Sequence, residues 1–507
     1  MHIWTGWMDW CGMDKELRRS LLILAFVIAV TAWFSELFYF PDEHYQVLEF
    51  MSFKLGITQA SDLPWEFHAG IRPFFQPLVY FLIAKPLMAL GLTDMFAIVF
   101  VLRLATGLFS LAALAVFARG ILPTIEGETE RRAFVHYLPL FGFLPYLFVR
   151  TSSETFSAAF FALGLAVALG GKSLRRLTLA GLLCGLAFES RYQTGLLGAG
   201  LFAWLVVVAR PRLPALAAFI GGGLVALTIG ALTDYWGYGR LVFPPLGYVD
   251  VNLVQGVAAH QFGREPVFAY LYLLPAQIFF AITLVLMAGM VLMWLRNPRH
   301  ALTWTTLPFV LAHIAIAHKE ARFLFPLAIL ATAFPVLGFS PRLSLWRETF
   351  GRVWQWRRSW AAKITTGISV AAMAYFALYP FGVRPHMPMA KYLYRHNPGA
   401  IVSLATPFQS YPMYRPAGFQ STQIGAPQLD ALLNGGPVFL MTETPVPPAL
   451  PAGARARLLF SEFPLARFGY GQAGADYIKG YTAFAARHGF LKLLPLYWYT
   501  LYRVERS

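Results

Sequence analysis

For its first 380 residues the chain alternates long apolar runs with short polar breaks, and then it loses that rhythm. A helix needs about twenty apolar residues to cross a hydrocarbon core of about 30 Å. Runs of that kind recur at 20–38, 97–118, 133–149, 155–171, 177–190, 194–209, 214–233, 267–295, 302–317, 321–338 and 363–380. They predict a mainly α, polytopic membrane protein of about eleven spans. Beyond residue 380, short apolar runs (401–405, 438–441) are separated by Pro and Gly clusters and by helix-like stretches at 428–434 and 481–488. A last strand is expected near 496–504. This texture predicts a small α/β domain over 381–507.

The charges between the runs give the spans a direction. Basic residues cluster at Lys15/Arg18/Arg19, Arg119/Arg131/Arg132, Lys172/Arg175/Arg176, Arg210/Arg212, Arg296/Arg299 and along 342–363. With the spans above, all of these fall on the cytoplasmic side. The opposite side then holds a first outer loop at 39–96, a second large one at 234–266, and shorter edges at 150–154, 189–193 and 318–322. Segment 76–92 is apolar enough to span, but a crossing there would strand every downstream basic loop outside, and Lys85 and Pro86 interrupt it. It is therefore expected as a juxtamembrane helix on the outer face, the alternative being an extra span compensated by a merged pair elsewhere. The first run, preceded by bases and lacking a small-residue cleavage site, reads as a retained signal anchor.

Composition agrees and removes other classes. At 57% hydrophobic and 13% charged residues, the 507-residue chain is not composed like a soluble enzyme. The net charge of +16 would suggest nucleic acid in a soluble protein, but the short loops absorb the bases and leave no exposed basic domain. The partner surface is membrane lipid. Two cysteines, Cys11 and Cys184, build neither a disulfide framework nor a Cys-rich metal site.

Chemistry-bearing residues gather on the outer side. Asp42 and Glu43, with His44, follow the first run directly, where acids are costly to keep. The same face receives Trp65, Glu66 and Arg72, then Arg150 and Glu154, then His318, Lys319 and Arg322. Acids facing a cationic cluster suit transfer from a phosphate leaving group. A carboxylate takes the proton of an attacking hydroxyl, and Lys319, Arg322, His318 and Arg72 neutralise the departing phosphate. His44, Trp65, Glu66, Arg150 and Glu154 are candidate substrate contacts. Structural roles compete with each of these. The acids suit the N-terminus of a helix starting near Tyr45, and 318–322 suits a solvated helix end with a Glu–Arg pair. Trp65 suits an interfacial aromatic belt. Arg150 and Arg191 suit snorkelling anchors, and Arg103, inside a span, suits a buried ion pair or a route to a lipid phosphate.

Several of these segments carry a family resemblance. Pro41-Asp-Glu-His-Tyr-Gln46 resembles a first-loop HPDEhfQ motif, with Phe40 where the family often has His. Trp65-Glu-Phe and Gly70-Ile-Arg72 resemble a TWEW…RS stretch, with Pro73 replacing the Ser. His318-Lys-Glu-Ala-Arg-Phe-Leu-Phe-Pro326 resembles HKExRFlxP, the most specific of the set. Arg150-Thr-Ser-Ser-Glu154 is a weaker likeness to RTlSNsxE, lacking the Asn, and Asp234-Tyr-Trp-Gly-Tyr-Gly239 resembles DsxfYG. Together, over 20–340, they resemble the GT-C mannosyltransferase family of the dolichyl-phosphate-mannose-dependent enzymes of N-glycan and GPI-anchor assembly.

The resemblance implies a GT-C membrane domain over 1–380. It implies inverting transfer of a hexose, most often mannose, from a polyprenyl-phosphate sugar donor to a hydroxyl of a lipid-linked glycan or glycolipid acceptor on the non-cytoplasmic face. Asp42 would be the base, with Glu43 supporting it or a divalent cation, and His318–Arg322 would handle the donor phosphate. An extra outer α/β domain is foreign to the eukaryotic pattern, which favours a bacterial inner membrane with a periplasmic site over the endoplasmic reticulum. A flippase of lipid-linked glycans would place charges deep in several spans of pseudo-symmetric halves; here they cluster at one face. Phosphoryl transfer calls for a firm metal site, which the sequence does not offer.

Overall fold

A computed structural model describes residues 15–277, 280–339, 360–378, 386–404, 408–477, 479 and 498–506. The chain divides into two compact units, Met1–Gly56 with Leu63–Phe381, and Ile57–Asp62 with Gly382–Ser507.

The first unit is helical. Among the described residues four helices are long and apolar enough to cross a membrane: Lys15–Phe34, Met95–Thr124, Tyr192–Ala209 and Leu213–Tyr238. Other expected spans are shorter or broken, and proline explains two of the breaks. Over 133–149 the chain forms Glu128–Tyr137, a 3-10 turn at Leu138–Leu140 and then Leu144–Phe148. Pro139 and Pro145 each remove a backbone donor there. Over 321–338 a 3-10 stretch, Ala321–Leu327, carries Pro326 and leads into Ala328–Ala331 and Phe334–Gly338. Segment 76–92 forms the helix Phe75–Ala89. At 1.5 Å per residue this helix is roughly 22 Å long, short of a hydrocarbon core of about 30 Å. Pro86 sits in its last turn without ending it. Of the expected basic run at 342–363, residues 342–359 lie outside the described residues.

Close helix packing holds the bundle. Leu174–Ser190 lies along Leu213–Tyr238, with Gly181 against the Phe219 backbone and Gly222 against the Thr178 carbonyl; a Cβ at either would collide. Small residues at such crossings let backbones approach where no hydrophobic force drives association. Ser153–Leu169 packs on Leu174–Ser190 and on Met95–Ile121, which packs on Lys15–Phe34. Leu24, Ile28, Phe117, Phe161, Leu165 and Leu197 belong to the shared core.

The first outer loop is built on this frame. Asp234, expected to open the second loop, instead lies inside Leu213–Tyr238, which ends at Gly239 in a left-handed conformation (φ 67°). Asp234 Oδ1 accepts the Phe74 N–H at 2.8 Å, tying the loop to that helix. Aromatic rings fill the space between, with Phe50 on Phe74 (4.8 Å) and Phe67 on Tyr238 (5.3 Å).

The second unit contains strands β1 (Ala400–Ser403), β2 (Gln420–Gln423), β3 (Val438–Thr442), β4 (Ala454–Ser461) and β5 (Thr500–Arg506). They form one sheet in the order β2-β1-β3-β5-β4. β1 runs parallel to β2 and β3, and β5 is antiparallel to β3 and β4. Leu440 pairs with Val402 on one side and Tyr502 on the other, and it shares a small core with Leu429 and Leu433 of the helix Ala426–Leu433. The helix expected at 481–488 lies outside the described residues.

Candidate active site

The first helix ends at Phe34, and after a short irregular stretch a new helical segment opens at Pro41 and continues as a π-helical turn, Glu43–Leu48. Asp42 precedes it with helical backbone angles, and its side chain makes no capping bond. Its carboxylate reaches across the fold instead: Arg322 Nη1 donates to Asp42 Oδ2 at 2.6 Å, across 280 residues of sequence. Arg322 lies at the start of the 3-10 stretch and is held on every side. Its Nε donates to Glu320 Oε2, its guanidinium lies 4.5 Å from the Phe40 ring centroid, and Nη1 is 3.6 Å from Glu154 Oε1. Glu154 also meets Arg191 Nη1 at 2.9 Å, and the same Nη1 donates to Ser153 Oγ at 3.1 Å. The Asp42 side chain is 32% exposed, against 20% for Glu320 and 4% for Glu154, so Asp42 is the most open acid of the cluster.

Two acids of the cluster are held toward their ionised form. Burial pushes the Asp42 carboxyl toward the neutral form, but Arg322 and then Arg72 outweigh it and hold it below the usual carboxylate range. Glu320 follows the same pattern: burial opposes ionisation, Arg322 and His318 favour it, and the result is about 2. His318 is raised above its ordinary value, chiefly by its hydrogen bond to Glu320, against burial.

Glu43 points away from Asp42. Its Oε1 accepts the Thr151 N–H (2.8 Å) and hydroxyl (3.0 Å), and its Oε2 accepts the Tyr39 N–H (3.1 Å). Arg150 stands 3.9 Å from Glu43 and donates to the Ser35 carbonyl (2.8 Å) and the Leu37 carbonyl. The two side chains pin the turn that presents Asp42. They also bear on the expected divalent cation. Both Glu43 oxygens accept from protein donors and Asp42 faces a guanidinium, so the adjacent acids do not converge as a donor set. Among the described residues no group of three His, Cys, Asp or Glu could hold a metal. The residues do not fit a cation here.

The other candidates divide. His44 is fully buried, 2.7 Å from Glu49 and stacked on Phe38. Lys319 donates to the Ile316 (2.6 Å) and Glu265 (3.1 Å) carbonyls, and His318 Nδ1 to the Gly263 carbonyl (3.1 Å). Both fasten the end of the second outer loop rather than face Asp42. Glu66 accepts from Gln46 (3.0 Å) and stands 3.7 Å from Arg72, and Trp65 is largely exposed. Arg103 donates to the Ala32 carbonyl at 3.0 Å. Sequence reasoning passed over Gln46, Gln76, Ser153, Tyr192 and Tyr248, which line a cleft with Arg72 and Arg191. They are neutral and sit beside or within apolar runs; a Gln opening the apolar segment at 76 is the one readable signal.

Comparison with known proteins adds context to this geometry. The model of the Alg9-like mannosyltransferase family matches residues 20–414. GPI mannosyltransferase 3 of Yarrowia lipolytica is 28% identical over 313 residues, covering 61% of this chain and 59% of that protein. GPI alpha-1,2-mannosyltransferase 3 of Xenopus laevis is 25% identical over 322 residues, covering 61% and 57%. The chain thus spans less than two thirds of the length of these relatives. Among solved structures, ArnT from Cupriavidus metallidurans bound to undecaprenyl phosphate aligns with a TM-score of 0.51 and 13% identity, over 83% of this chain and 92% of that one. That likeness is one of fold.

Proposed function

Because the chain belongs to the Alg9-like mannosyltransferase family, we propose that it is a multi-pass membrane enzyme transferring a hexose, mannose foremost. The donor is a polyprenyl-phosphate sugar, and the acceptor is a hydroxyl of a lipid-linked glycan or glycolipid on the non-cytoplasmic face. The observation that carries this reading is the contact between Asp42 and Arg322, which joins an open carboxylate to a buried, permanently charged guanidinium.

The chemistry follows from those two groups. The acceptor oxygen attacks the anomeric carbon on the face opposite the phosphate. The bond from carbon to phosphate oxygen breaks, its electron pair leaves with the phosphate, and the configuration inverts. The acceptor proton passes to Asp42, which is ionised and ready to accept it. A carboxylate of depressed pKa is a weak base, so the proton moves late, once the new carbon–oxygen bond has made the hydroxyl acidic. Phosphate departs without a general acid but needs its charge neutralised; Arg322 turns Nη2 to it, the nitrogen outside its Asp42, Glu154 and Glu320 contacts, and Asp42 loosens its hold on the guanidinium as it takes the acceptor proton. Glu43 and Arg150 act through the backbone, by fixing the turn that carries Asp42.

Two further features support the donor class. Leu324 and Phe325, next to Arg322, line an apolar groove with Leu274, Leu286, Met290 and Phe334, which suits an isoprenoid chain. ArnT, whose fold is similar, is a structure with undecaprenyl phosphate bound. The test is to incubate purified protein in detergent with polyprenyl phosphates carrying mannose, glucose or galactose, and with a mannose-terminated glycolipid. The reading expects polyprenyl phosphate release that depends on the acceptor, is fastest with mannose, and gives a product of opposite anomeric configuration. Release from no donor, or retained configuration, would overturn it.

A further inference from the structure

Beside the ion cluster a cleft is lined by side chains from five parts of the chain: Gln46 after Asp42, Arg72 and Gln76 at the start of the Phe75–Ala89 helix, Ser153, Arg191 with Tyr192, and Tyr248. Gln46 stands four residues after Asp42 on one helical stretch, and Arg191 shares Glu154 with Arg322. The cleft therefore adjoins the residues proposed to carry the reaction, through Gln46 and Arg191.

Its polar atoms are incompletely satisfied. Gln76 is 1% exposed; its Nε2 donates to the Thr151 carbonyl (2.9 Å) and the Tyr80 hydroxyl (3.0 Å), while Oε1 has no hydrogen-bond partner in the protein. The Tyr192 hydroxyl, Arg191 Nε and Arg72 Nε are likewise buried without one, and Arg191 and Tyr192 are each 9% exposed. Buried polar atoms are normally paired, and several left open around one cleft mark a place where a ligand completes them. The mix identifies its chemistry. Gln76 offers an acceptor, the two arginines offer donors, and the Tyr192 hydroxyl offers both. Tyr192 and Tyr248 add ring faces, with centroids 5.6 Å apart. An anion would want free positive charge, but Arg191 is matched by Glu154 at 2.9 Å and Arg72 stands 3.7 Å from Glu66. Alternating donors and acceptors beside aromatic rings, with charges matched, suit a ring bearing several hydroxyls.

We infer that this cleft binds a hexopyranose ring, with Gln76 Oε1 and the Tyr192 hydroxyl holding its hydroxyl groups. The inference rests on the transferase reading for its partner, and the ring belongs either to the donor sugar or to the acceptor's terminal sugar.

Tyr192→Phe tests it, because the change removes only a hydroxyl without a protein partner. A merely structural role predicts an unchanged thermal midpoint and unchanged substrate handling. The inference predicts an unchanged midpoint with a KM raised about three- to tenfold, the worth of one hydrogen bond. A raised KM for polyprenyl-phosphate mannose alone places the donor sugar in the cleft, and one for the glycolipid alone places the acceptor sugar there. Saturation-transfer NMR with methyl α-D-mannopyranoside reads binding without turnover: sugar signals are expected with the unaltered protein and weakened in Tyr192→Phe. If the unaltered protein transfers no sugar yet the NMR difference holds, the cleft stands and the proposed reaction falls. Identical NMR signals in both proteins, or none in either, would overturn the sugar cleft.

Discussion

Arg322 carries one positive charge and meets three carboxylates: Asp42, Glu154 and Glu320. Such an excess of acid raises the cost of desolvation unless each carboxylate has another donor. Glu154 has Arg191 and Glu320 has His318, which leaves Asp42 as the partner with most access to solvent and to an acceptor hydroxyl. The titrations of this cluster have a readable sign. Glu320 falls from 4.5 to about 2, so its contribution to stability is present above 4.5 and lost as pH drops toward 2. His318 is raised above 6.5, so its contribution is complete below 6.5 and is lost as pH rises through the folded value. Thermal midpoints in detergent should therefore decline on both sides of a plateau between 4.5 and 6.5, and His318→Gln should flatten the alkaline decline and lessen the acid one, because His318 also helps to hold Glu320 ionised; an unchanged alkaline limb would refute the His318–Glu320 coupling. Much of this cluster was legible in the sequence, because charged side chains in otherwise apolar surroundings stand out. The orientation of Glu43 and Lys319 was not, since each also satisfies a backbone group distant in sequence, Thr151 N–H for Glu43 and the Glu265 carbonyl for Lys319. Gln76 and Tyr192 escaped because neutral polar residues leave no mark on a hydropathy pattern.

Elements carry these residues to one place through close contacts between helices. The Leu174–Ser190 helix delivers Arg191 and Tyr192, and its neighbour Leu213–Tyr238 delivers the Asp234 anchor for Phe74. Their approach depends on Gly181 and Gly222. Gly181→Leu should force the backbones apart at a cost of about 1–3 kcal/mol or more, seen as a lower thermal midpoint. Leu179→Ala, at an outward-facing position, should leave the midpoint nearly unchanged. Equal midpoints for the two variants would mean that this crossing does not hold the pair together. Helix positions were readable wherever an apolar run carried no proline. Runs 133–149 and 321–338 looked like single spans because hydropathy averages over Pro139, Pro145, Pro326 and Pro335, which redirect the chain without making it polar. In the second unit, β2 (Gln-Ser-Thr-Gln) has no apolar position to reveal it, and β4 alternates Arg455 and Arg457 with alanines, which are weak strand formers and bury little.

At the scale of the whole molecule, the apolar helices make a multi-pass membrane protein, and in the proposed topology the acids of 42–43 and the HKEAR segment share the side opposite the basic loops. The fold closes that face into an ion cluster with a polar cleft beside it, and the family match spans both. The central claim is that Asp42 removes the acceptor proton. It is tested most directly by the single-turnover rate of polyprenyl phosphate release from polyprenyl-phosphate mannose, at saturating glycolipid, in unaltered protein and in Asp42→Asn. With thermal midpoints matched, Asp42→Asn should lose roughly 10²- to 10⁴-fold in rate, the usual worth of a general base, while still binding donor. Release from Asp42→Asn at the unaltered rate would contradict the account.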